Sequence, residues 1–172
     1  MPVLRDLARR KRLEYFLPRI PRNAQVLEVG CGAKWVAAEL KRGGWINYTG
    51  MDLVPPADIV GDIKLWRELG LKTASFDVVI GFEIIEHIDF VQDIFDLLKP
   101  GGLLMLTSPV PHLDWVMWTL ERLGLNQKRT SPHSNLVYFQ NLPLFELTDY
   151  RRVGGLLQFG ILRKPLNAPS AR

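Results

Sequence analysis

Glu28, Gly30, Gly32 and Asp52 carry the groups of this sequence best suited to bind a polar ligand. Val26-Leu27-Glu28-Val29 is a largely apolar run that stops at Gly30-Cys31-Gly32. Such a run reads as a buried strand delivering bare backbone to a tight turn, where side chains would block a ligand. Twenty residues past Gly32, a second run ends in Gly50-Met51-Asp52. A carboxylate ending the second strand can accept hydrogen bonds from both hydroxyls of a ribose. Together the two segments describe a pocket for an adenosine-containing molecule at the carboxyl edge of a parallel sheet.

Two classes of ligand use such a pocket. A dinucleotide needs Gly-x-Gly-x-x-Gly, because its pyrophosphate sits on the amides of a helix N-terminus. Trp35 occupies the third-glycine position of that pattern, and Glu28 would repel a pyrophosphate. A carboxylate at Glu28 suits a ligand carrying an ammonium group. S-adenosylmethionine has that ammonium, a sulfonium and a ribose, and no phosphate. The chemistry favours the methyl donor over a nicotinamide dinucleotide.

With these residues in place, the chain resembles the class I S-adenosylmethionine-dependent methyltransferases of the type 11/12-like group. Val26–Gly32 is similar to the first motif of that family, and Gly50-Met51-Asp52-Leu53 to its acidic second-strand end. Phe76–Phe82 resembles the fourth strand, and Leu97-Leu98-Lys99-Pro100-Gly101-Gly102 the turn that opens the fifth. These landmarks fall in the family's order over residues 26–108, about half the chain. The family often has a third alternate glycine, and this chain has Lys34 there, which could reshape the methionine end of the site. The resemblance implies a cofactor site built from Glu28, Gly30, Cys31, Gly32 and Asp52. Leu53, Asp62, Ile63, Phe82 and Glu83 complete that site, with Asp62 near the adenine amino group.

Glu83-Ile84-Ile85-Glu86-His87 follows the fourth strand, where the family places its acceptor. If this segment is helical, spacings of three and four put Glu83, Glu86 and His87 on one side. Two carboxylates and an imidazole suit a divalent ion such as Mg²⁺, Mn²⁺, Fe²⁺ or Zn²⁺. The segment resembles the Glu-x-x-Glu-His of ubiquinone-type O-methyltransferases and small-RNA 3′-end methyltransferases, where a downstream histidine completes a metal site. That implies His133 as the fourth ligand, with His112 as the second choice. The competing account is that acidic residues favour the first turn of a helix through its dipole, without a metal. Imidazoles change charge near neutral pH, so His87 is also the candidate catalytic base for a hydroxyl acceptor.

The elements that must position these residues follow from periodicity. Residues 3–17 form a basic amphipathic helix ended by Pro18 and Pro21. Strands are expected over 25–30, 46–52, 58–60, 77–82 and 102–108, with helices over 33–42 and 88–98 between them. That alternation implies an α/β fold, a doubly wound, mostly parallel Rossmann-like sheet with helices on both faces. A helix over 114–123 belongs to an acceptor-side insertion over 109–135, which carries Trp115, Trp118 and the basic pair Lys128-Arg129. The tail reads as a short extended segment at Val137–Phe139, a helix near 143–149, and one or two closing strands over 156–162. The C-terminal strands are therefore expected to be abbreviated.

Bulk properties bound the rest. At 172 residues the chain reads as a single domain, long enough to bury roughly 70% of its unfolded surface. It has no 18-residue apolar stretch that could span a membrane, and no apolar signal segment is visible. The single cysteine, Cys31, fits a reducing cytoplasm. The basic helix over residues 1–22 admits three readings: a lid over the cofactor, a contact for anionic lipid or nucleic acid, or a solvated face covering the sheet. A net charge of +4 is too modest to argue for nucleic acid. The expected function is methyl transfer to a small-molecule, lipid or sugar acceptor. The alternatives are a non-catalytic S-adenosylmethionine-binding partner or sensor module, and a nicotinamide-dependent oxidoreductase.

Overall fold

The computed structural model describes residues 2–113, 119, 122 and 137–167. The strands are β1 (Val26–Val29), β2 (Tyr48–Asp52), β3 (Ile59–Val60), β4 (Phe76–Phe82), β5 (Leu98–Pro109), β6 (Glu146–Val153) and β7 (Leu157–Arg163). The helices are α1 (Pro2–Phe16), α2 (Trp35–Arg42) and α3 (Val91–Leu97). The strands form one sheet in the order β3-β2-β1-β4-β5-β7-β6. The pairs β1–β2, β1–β4, β2–β3 and β4–β5 are parallel, whereas β7 runs antiparallel to both of its neighbours. The order reverses at β1, so the ends of β1 and β4 open a crevice at the carboxyl edge, where ligands bind in open α/β sheets.

Alternation along the strands feeds two cores. Val26, Val78, Ile80, Met105, Phe159 and Ile161 pack with α1 and α2 through Tyr15, Phe16, Val36 and Leu40. Leu27, Val79, Leu104, Leu106 and Leu162 pack on the other side with Val91, Ile94 and Leu97 of α3 and with Trp66 and Phe139. Both faces of the central strands are buried, as a parallel sheet requires. Helix α1 reaches its core mainly through its last turn, and Leu7 remains half exposed.

The tail differs from the sequence expectation. No helix forms near 143–149; β6 occupies Glu146–Val153, and a tight turn containing Gly154 and Gly155 returns the chain into β7. The pairing wins because Leu147 and Tyr150 pack against the core, while Thr148 Oγ1 donates to the Ile161 carbonyl across the ladder at 2.9 Å. Tyr138 is extended, and Phe139 opens a short 3₁₀ turn and lies against Gly160. The abbreviation falls on the connection, since a turn replaces any helix between the last two strands. Most of the helix expected over 114–123, together with Trp115, Trp118, Lys128, Arg129 and His133, lies outside the described residues.

One buried lysine fastens the sheet to α3. Lys164, just past β7, is 5% exposed, and its Nζ donates to the carbonyls of Phe95 and Leu98 at 2.6 and 2.8 Å. These are carbonyls at the end of α3, where a helix lacks internal donors. Burial holds the Lys164 ammonium below its ordinary pKa. Lys164→Met, which keeps the apolar stem and removes the donors, is expected to cost about 2–4 kcal/mol. A thermal melt should show the midpoint falling by roughly 5–12 °C.

Candidate functional site

The turn after β1 is shaped by backbone. Gly30 and Gly32 have φ of +75° and +49°, a region that costs L side chains strain and glycine none. A Cβ at Gly30 would lie 3.1 Å from the Ile84 side chain, whereas one at Gly32 would meet nothing within 4 Å. Gly30 is therefore needed for packing as well as conformation. The open face of Gly32 leaves room for a ligand to approach the backbone. The Gly32 N–H donates to Asp52 Oδ2 at 2.8 Å, and the Val54 N–H lies 3.4 Å from Oδ1. The turn and the end of β2 are thus one unit, with the half-buried Asp52 carboxylate at the mouth.

Glu28 lies beneath this turn at 2% exposure, in register with Gly50 on β2 and Ile80 on β4. Its carboxylate accepts a hydrogen bond from the Tyr48 hydroxyl. Burial pushes Glu28 up to about 8, the Tyr48 hydrogen bond and Lys34 pull down, and Asp52 pushes up. Among the described residues no cation forms an ion pair with it, so this buried carboxyl is suited to receive an ammonium group. The Cys31 thiol is buried beside it and pushed up to about 11, by burial first and then by Glu28 and Asp52. That makes Cys31 a small filler of the turn rather than a nucleophile.

Lys34 begins α2 from the left-handed region, at φ 56° and ψ 36°. Its ammonium pairs with Asp58 Oδ1, while Asp58 Oδ2 accepts from the Gly50 N–H at 2.8 Å. The pair straps the start of α2 to β2. Asp62 uses Oδ1 to cap the 3₁₀ turn Ile63–Leu65, accepting from the Lys64 N–H at 2.9 Å. Ile63 is buried in the α3-side core, whereas Leu53 is exposed.

The end of β4 does not continue as a helix. Glu83 adopts φ +56°, and residues 85–87 form a turn in which the His87 N–H donates to the Ile84 carbonyl. The competing force is packing: Ile85 is fully buried, and Ile84 fills the space beside Gly30 and Gly81. The side-by-side face expected for Glu83, Glu86 and His87 is therefore not formed. Glu83 pairs with Arg12 of α1. Glu86 is 1% exposed and is pushed up to about 8 by burial, with Ser108 among its hydrogen-bond partners. Among the described residues, no three His, Cys, Asp or Glu side chains group closely enough to hold a metal ion. His133 lies outside them, and His112 instead meets the Tyr138 hydroxyl at 2.6 Å. The described residues do not fit a metal.

Helix α1 closes over this end of the sheet. Phe82 packs against Phe16 and Trp35 with ring centroids 4.9 and 6.2 Å apart. The guanidiniums of Arg12 and Arg9 lie over the Phe82 and Trp35 rings. Arg12, which the sequence does not single out, also reaches the end of β4. Its side chain is 10% exposed, and its Nε is buried without a hydrogen-bond partner. One signal was present: Arg12 stands three and four residues before Tyr15 and Phe16 on the buried stripe of α1, a position a solvated arginine avoids.

A family model described as a methyltransferase domain matches residues 4–152. A Mycolicibacterium smegmatis protein, named as a probable S-adenosylmethionine-dependent methyltransferase, is 34% identical over 145 residues, covering 76% of this chain and 51% of its own length. The ubiquinone biosynthesis O-methyltransferase of Xylella fastidiosa is 32% identical over 121 residues, covering 56% and 47%. The chain thus spans about half the length of these curated relatives. In fold, a Pyrococcus horikoshii protein superposes with a TM-score of 0.65 at 18% identity, over 91% of this chain and 90% of its own. A SAM-dependent methyltransferase from Methanosarcina mazei gives 0.63 at 17% identity, over 89% and 99%.

Proposed function

The chain belongs to the methyltransferase domain family, and on that premise we propose that it binds S-adenosylmethionine at the β1–α2 turn and transfers its methyl group to a small-molecule acceptor. The observation that carries this reading is the Gly32–Asp52 hydrogen bond. It presents a carboxylate beside open backbone, the arrangement an adenosine ribose needs. When bound, the cofactor supplies a methyl group on a sulfonium, an electrophile that needs alignment more than activation.

The chain's own residues then divide the work. Asp52 accepts from the ribose hydroxyls, and Asp62 offers its second oxygen to the adenine amino group. Leu53 covers the adenine from the solvent side, where it now stands 69% exposed. Glu28 receives the ammonium of the methionine end. Arg12, the buried cation at the end of β4, takes the carboxylate of that end and exchanges its present pairing with Glu83. Phe82, Trp35 and Phe16 exclude water from the sulfur, which lengthens the life of the reactive alignment. We assign the compartment as the cytoplasm on the single buried, free thiol of Cys31. Among the described residues, no helix is long and apolar enough to cross a membrane.

For a hydroxyl acceptor, His87 takes the proton as the oxygen attacks. His87→Ala should lower kcat about a hundredfold or more and leave donor affinity within about twofold. A pH–rate profile of the variant superimposable on that of wild type would contradict this role. The transfer itself is tested with methyl-labelled donor and fractionated small-molecule extract. Label appearing in a small product supports the reading. Tight donor binding with no label transferred to any fraction would favour a non-catalytic binding module.

A further inference from the structure

Lys34 occupies a left-handed position that glycine adopts freely and lysine does not. A charge is therefore kept where the backbone argues for none. Its surroundings indicate what the charge does. The Lys34 ammonium pairs with Asp58 and lies 6.0 Å from the centroid of the Tyr48 ring, whose hydroxyl holds Glu28. It interacts electrostatically with Glu28, and the buried Cys31 thiol senses Glu28, Asp52, Lys34 and Asp58 together. Three carboxyl groups and one ammonium thus share the rim and floor of the cofactor turn.

We propose that Lys34 is a specificity-determining residue of this site, setting the balance between binding the methyl donor and binding its demethylated product. The inference rests on S-adenosylmethionine being the cofactor. The donor carries a sulfonium, an ammonium and a carboxylate, a net charge of +1. The product, S-adenosylhomocysteine, has lost the sulfonium charge and is net neutral. A pocket with net negative charge attracts the donor more than the product, and each positive charge added to the pocket narrows that difference. Lys34 cancels the charge of Asp58 and so moderates the preference. Without it the pocket gains one uncompensated carboxylate beside the turn.

The test is titration calorimetry of both ligands at one pH and low salt, on five variants. Lys34→Gln removes the charge and keeps the stem, and Lys34→Gly removes the charge together with the backbone strain. Both should raise the preference for donor over product by roughly three- to tenfold, the size of one charge in a solvent-exposed cleft. Asp58→Asn, which leaves the backbone of the turn alone, should lower that preference by a similar factor. The Lys34→Gln/Asp58→Asn double variant should return to within about twofold of wild type. Lys34→Arg should behave as wild type, and added salt should shrink every shift.

Shifts that affect donor and product equally, or single variants that leave the ratio unmoved, would overturn the proposal while leaving the cofactor assignment standing. Wild-type protein that binds neither ligand would remove the cofactor assignment and this inference with it. The two failures are therefore distinguishable.

Discussion

Asp52→Ala should abolish measurable S-adenosylmethionine binding, weakening it about a hundredfold or more. Two effects combine. The substitution removes the carboxylate that we propose accepts from two ribose hydroxyls, and hydrogen bonds to a charged group are worth about 1.5–3 kcal/mol each. It also frees the Gly32 N–H, now 2.8 Å from Asp52 Oδ2, so the turn loses the contact that ties it to β2. The protein should remain folded, because Asp52 is half-buried at the carboxyl edge and the β1–β2 register is set by backbone pairing of Val26–Val29 with Tyr48–Met51. Circular dichroism unchanged from wild type, with binding lost, is the expected pair of observations. Asp52→Asn should recover part of the affinity, since an amide oxygen still accepts from one hydroxyl.

The second large effect is on pH. Glu28 is held near 8 by burial, so the ligand-free protein carries it protonated at neutral pH. An ammonium placed against it favours the ionised form, and binding must release that proton. Below the raised pKa, affinity therefore rises with pH, by up to about tenfold per unit between pH 6 and 7.5. Calorimetric heats should vary with the ionisation enthalpy of the buffer, in proportion to a proton released. Glu28→Gln should bind about a hundredfold more weakly and lose most of the pH slope.

Stability carries the opposite sign. A carboxyl whose folded pKa lies above its unfolded value binds a proton in the folded state that the unfolded chain has released. Glu28 and Glu86, both near 8, thus lower the stability of the free protein as pH rises from about 4.5 towards 8. Added cofactor should reverse the Glu28 share of that loss.

Much of the frame was readable from the chain itself because parallel strands buried on both faces leave continuous apolar runs. Val26–Val29, Tyr48–Asp52 and Phe76–Phe82 carry that signal, and Gly30 and Gly32 after the first of them mark the tight turn. The last hairpin was harder to read. Glu146–Val153 is an edge strand with Arg151 and Arg152 exposed and a register shift between Leu147 and Asp149, so its alternation is broken. Its charged edge guards against pairing with another chain and also disguises it as a helix.

The site divides in the same way. Asp52 and the glycine turn follow from local pattern. The arrangement past β4 does not, because the burial of Ile85 and the packing of Ile84 beside Gly30 and Gly81 override the helical spacing of Glu83, Glu86 and His87. Arg12, Tyr48 and Asp58 enter through tertiary contact alone: Arg12 meets Glu83 across 71 residues, and Tyr48 meets Glu28 across 20. No local period encodes such pairs. Lys34 was visible as a departure from the glycine pattern, but its partner Asp58 was not.

Titration calorimetry of metal-stripped wild-type protein asks directly whether the β1–α2 turn holds a sulfonium nucleoside. S-adenosylmethionine, S-adenosylhomocysteine and NAD are each titrated at neutral pH. Both sulfur ligands should bind in the micromolar range, and NAD should not bind. Binding of NAD, or of none of the three, would contradict the cofactor assignment.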